Sequence, residues 1–157
     1  MLRVSFHLLF TVLIATGLVI FQTTISNMIW LWTIDMPVSF PIILSTYVND
    51  FLSMNQLKAL LIPDLEIGIP FFALIGAGLL IAFSIARILL FLIPMSNTLV
   101  YSVAGGSAII AIVVLMPLEF YNLDLLPGGR TFAGKVTLGI CGLISGYYFG
   151  SKIQGAK

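Results

Sequence analysis

Charge is what this sequence has least of. Only 8% of its residues are Asp, Glu, Lys or Arg, against about 25% in soluble domains. The seven basic and six acidic residues leave a net charge of +1, with no basic run, so nucleic acid is not an expected partner. The single cysteine, Cys141, excludes an internal disulfide and a Cys-x-x-Cys redox centre. The single histidine, His7, leaves a haem held between helices without its second ligand. No His/Cys/Asp/Glu cluster has metal-binding spacing, and no nucleophile elbow, phosphate loop or Ser-x-x-Lys is present. Neither a metal nor a cofactor is therefore expected.

What the chain does have is apolar residues, 60% of its 157. They gather in four runs, about 4–22, 69–93, 98–116 and 133–150, close to the roughly 20 residues that cross a hydrocarbon core as a helix. The expected fold is an all-α membrane protein: one domain over 1–157, four transmembrane helices and an amphipathic helix in the first external loop. The first run, at roughly 19 residues, is longer than a signal-peptide core and has no A-x-A site after it. It reads as a retained transmembrane helix. No acid falls inside any run, which argues against a proton-coupled transporter.

Small residues carry the pattern that hydropathy lacks. Gly139, Gly142, Gly146 and Gly150 recur at three and four residues, so they share one helix face. In a soluble helix each glycine would cost about 1 kcal/mol relative to alanine. In lipid a small-xxx-small face lets two backbones approach closely, and this stripe reads as a glycine zipper. Gly78, Ala82 and Ala86 form a second such face, and Ala104 with Ala108 a third. Runs two and three, joined by a short turn at Pro94, are expected to pair as an antiparallel hairpin.

Between the first two runs, Trp30 and Trp32 stand where an aromatic belt is expected. Residues 41–62 read as an amphipathic helix: Leu44, Tyr47, Phe51, Met54, Leu57 and Leu61 recur at helical spacing, with Ser45, Asn49, Ser53 and Gln56 opposite. Pro41 suits its first turn and Pro63 its end. Membrane-surface helices are rich in Lys and Arg; this one has Lys58 alone, so it is expected to rest on protein. Arg87, inside the second run, either snorkels to the interface or anchors a partner or a lipid phosphate. Glu119, Asp124 and Arg130 surround the Pro127-Gly-Gly129 turn signal and are the only residues that could serve a catalytic site.

Arg3, Arg87, Lys152 and Lys157 fall on one side of the membrane, and Lys58, Arg130 and Lys135 on the other, so the positive-inside rule puts both termini in the cytoplasm. The layout resembles that of lipoprotein signal peptidases in length, span number and external acids, but only Asp124 is placed for the aspartate pair that this resemblance requires. It is also similar to immunity proteins against pore-forming colicins. The run Phe120-Tyr-Asn-Leu-Asp124-Leu, followed by Gly128-Gly129, looks like what some of them carry before their last span. That resemblance implies binding of a toxin's pore-forming domain in a bacterial inner membrane. The residues themselves favour a non-catalytic accessory subunit that meets other membrane subunits and lipid. A small membrane-embedded enzyme using Glu119 and Asp124 is the remaining alternative.

Overall fold

The computed structural model describes residues 2–56, 60–62, 67–93, 95–119 and 126–154. Five helices make up most of them: α1 (Leu2–Thr33), α2 (Phe40–Met54), α3 (Phe71–Leu92), α4 (Asn97–Glu119) and α5 (Phe132–Gln154). The class is all-α. Three helices are long and apolar enough to cross a membrane: α1, α3 and α4. α5 has the length, at 23 residues, but is less apolar. Its glycines, its serines and Lys135 and Lys152 take positions that its neighbours give to Ile, Leu and Val.

Several boundaries depart from the sequence reading. α1 runs to Thr33 rather than to about residue 22, so Trp30 and Trp32 lie within it. Residues 23–33 contain neither glycine nor proline, and nothing there stops the ladder. It stops at Asp35, whose φ of 57° is the left-handed turn that Asp tolerates, just before Pro37. α2 ends at Met54, not near residue 62, because Asn55 turns the chain. Its side-chain amide donates to the Phe51 carbonyl at 2.7 Å, and its Oδ1 accepts the Phe72 N–H at 2.9 Å. Instead of continuing as helix, Leu60–Ile62 and Ile67–Ile69 pair as an antiparallel hairpin, with Leu60 opposite Ile69. Leu57 lies outside the described residues. α4 passes Pro117 to end at Glu119; a proline so near a helix end interrupts little of the ladder.

The helices form a bundle with α5 closest to α4, and α1 crossing both α5 and α3. α3 shows how each helix is divided. Phe71, Ile75, Leu79, Phe83 and Ala86 are buried along one face, while Leu80, Ile81, Ile85, Ile88 and Leu89 are exposed. Both faces are equally oily, as expected where lipid rather than water is the outer solvent. At the heart of the bundle Phe83 stacks on Phe149 at 4.5 Å, and Tyr101 stands edge-on to both at 5.4 and 5.2 Å. Such aromatic contacts add about 0.5–1.5 kcal/mol each beyond burial.

Candidate functional site

Three groups of residues stand out, and each is set by a different helix pair. The first is the α4–α5 seam. A side chain added at Gly142 would strike the Gly105 carbonyl, one at Gly105 would strike the Gly142 carbonyl, and one at Gly146 would strike the Tyr101 carbonyl. At Gly150 it would lie 2.7 Å from Thr98 Cα, and at Gly139 2.9 Å from Ile110 Cδ1. Ser102 Oγ donates across the seam to the Leu143 carbonyl at 2.9 Å. The glycine edge therefore meets another helix, and that helix belongs to the same chain. Ala108 is buried and Ala104 packs beside it. Between α3 and α4, Ile112 Cδ1 fills the space over Gly78 at 2.8 Å, while Ala86 is buried and Ala82 partly so.

The second group is a polar layer toward the C-terminal end of α1. Thr24, fully buried, donates to Asp50 Oδ2 at 2.9 Å and so ties α2 to α1. Two residues earlier, Gln22 donates to Thr137 Oγ1 of α5 at 2.9 Å and to Ser26 at 3.1 Å. Its other amide atom, Oε1, is buried without a partner against Gly128. Gly128 and Gly129 lie buried in a short turn, Pro127–Gly129, that leads into α5. Thr131 caps α5 by accepting the Gly134 N–H at 3.0 Å, three residues on, as an N-cap threonine does. This layer was missed in the sequence. Gln22, Thr24 and Thr137 are the signal that could have found it, because polar side chains in an apolar helix seek partners. At the opposite end His7 lies edge-on to Phe6 and Tyr148, and Lys152 sits 5.9 Å over the Tyr148 ring.

The third group is apolar and exposed. α1 has 32 residues, so it is about 48 Å long at 1.5 Å per residue, some 18 Å more than the roughly 30 Å hydrocarbon core. Its last two turns and the turn after them present Ile29, Trp30, Trp32, Ile34 and Met36 to the outside, Trp32 being 72% exposed.

Among the described residues, those named for catalysis are not brought together. Arg130 is exposed at the end of the Pro127–Gly129 turn. Asp124 and the rest of the 120–125 run lie outside the described residues, as does the side chain of Glu119. Among the described residues no group of three or more His, Cys, Asp or Glu could hold a metal. Arg87 is exposed on α3, and no salt bridge to it occurs among the described residues. Comparison with protein-family models, curated proteins and solved structures produced no match.

Proposed function

We propose that this chain is a non-catalytic accessory subunit of a larger membrane assembly, and that its tryptophan-rich end, Ile29 to Met36, is where a partner subunit docks. In this reading α5 is a fourth span beside α1, α3 and α4, both termini are cytoplasmic, and the membrane is a bacterial inner membrane. α2 then runs beside the outer half of α1, with Ser45, Asn49 and Ser53 exposed. The supporting observation is the exposed aromatic patch raised on a helix longer than the bilayer is thick. Contiguous exposed apolar surface marks a protein or membrane contact, and Trp, Phe and Met are enriched in the first of these.

The glycine stripe no longer supports this reading, since α4 occupies it. A partner must use a surface the bundle leaves open. Purification in mild detergent from native membranes tests the proposal. A stoichiometric partner that is lost from a Trp30→Ala/Trp32→Ala variant, itself still folded, is expected. A chain that purifies alone, with or without the tryptophans, contradicts it.

A further inference from the structure

α2 touches α1 at two heights. Tyr47 reaches the Gly17 carbonyl with its hydroxyl, at 3.5 Å, and the Phe21 ring edge-on at 5.7 Å, while Asp50 holds Thr24 further along. Beside the Tyr47 contact the two helices part and leave a groove of about 500 Å³ lined by nine residues, among them Leu13, Gly17, Phe21, Ile43, Leu44 and Tyr47. Its one hydroxyl is turned onto the one carbonyl that Gly17 bares. The groove therefore offers a ligand an almost wholly apolar wall and no charge. It flanks positions 13–21, the middle of the candidate span Arg3–Thr33; where that span crosses a bilayer, the surroundings there are acyl chains rather than water.

From this we infer that the groove is a binding site for a single alkyl chain of a membrane lipid. Size and chemistry select that occupant. A stable protein contact needs about 20–30 residues a side, against nine here. A helix about 10 Å wide would fit only about one turn into the volume. Water finds no partner in an apolar groove. An alkyl chain is narrow enough to enter and is matched by Leu, Ile and Phe along its length. Glycine at position 17 keeps the floor open: a Cβ there would lie 3.4 Å from the Tyr47 hydroxyl, and any longer side chain would have to enter the groove. This inference needs α1 to cross the bilayer but does not need a partner subunit.

The full chain in phosphatidylcholine vesicles, with a fraction of the lipid carrying a photoreactive diazirine on one acyl chain, tests it. Adducts are mapped by mass spectrometry. Ile81 and Ile88, exposed on α3, report ordinary lipid contact and are unaffected by whether a partner exists. The expected result is labelling of Phe21, Ile43, Leu44 and Tyr47 several-fold above that of Ile81 and Ile88, falling to their level in Gly17→Leu. Groove labelling no higher than that of α3 overturns the inference, as does enrichment that survives Gly17→Leu in a variant shown to be folded. The wild-type comparison stands alone if that variant does not fold.

Discussion

Gly146 carries more of this structure than any large side chain, because it has nothing to put between two backbones. A Cβ at this position would meet the Tyr101 carbonyl and lie 2.9 Å from Ser102 Cα. Those are backbone atoms that cannot swing aside, so α4 would have to retreat along its length. Gly146→Leu is expected to lower stability by about 1–3 kcal/mol, the usual range for overpacking, read from the midpoint of denaturation in mixed micelles. Ile144, half exposed on the other face of α5, is the control, and Ile144→Ala should shift the midpoint far less. Leu143, by contrast, packs into the seam, its Cδ2 2.9 Å from where a Cβ on Gly106 would sit. Asp50 is the second residue of consequence. Removing its carboxylate leaves the fully buried Thr24 hydroxyl without its partner, which costs about 1–3 kcal/mol. Asp50→Ala should therefore destabilise by about that amount in the same measurement, while Asp50→Asn, which keeps an acceptor oxygen, should lose less.

At the scale of the helix, some of this fold can be read from the chain and some cannot. Where the core and the surrounding lipid are both apolar, hydrophobic periodicity has little contrast. Leu79 is buried and Leu80 exposed, and nothing in their chemistry tells them apart. Small residues do carry position, so the glycine and alanine spacings of α3, α4 and α5 point to helix faces. Polar residues carry it too, but their partners lie far along the chain: Gln22 with Thr137, Thr24 with Asp50. The end of α2 was misread because Leu57 and Leu61 prolong its spacing past Asn55. Two short apolar runs around Pro63-Asp64 were the competing signal for a hairpin. Asn55 links two elements, closing α2 and accepting the Phe72 N–H in the first turn of α3. Asn55→Ala is expected to cost about 1 kcal/mol, as loss of a helix cap does. Hydrogen exchange should rise at the start of α3 and not at its middle.

Across the whole molecule the acids fall in connections at one end, in the company of Lys58, Arg130 and Lys135. Antiparallel packing of α3 on α4 and of α4 on α5 puts the α1–α3 and α4–α5 connections at one end, and all six acids of the sequence lie in or beside them. Arg3, Arg87 and Lys152 lie toward the other end, with no acid near them in sequence. If all four long helices cross the bilayer, Ser53→Cys and Ser151→Cys must react from opposite sides, with Cys141 buried and silent. An impermeant thiol reagent added outside intact cells is expected to modify position 53 and spare position 151. Modification of both from outside would mean that α5 does not cross.

The central claim is that the tryptophan end of α1 faces another protein. A photoreactive amino acid placed at Trp32 in native membranes tests it most directly, with the same group at Ile85 of α3 as the lipid-facing reference. The account predicts a discrete cross-linked protein from position 32 and none from position 85. Lipid adducts alone at both positions would contradict it.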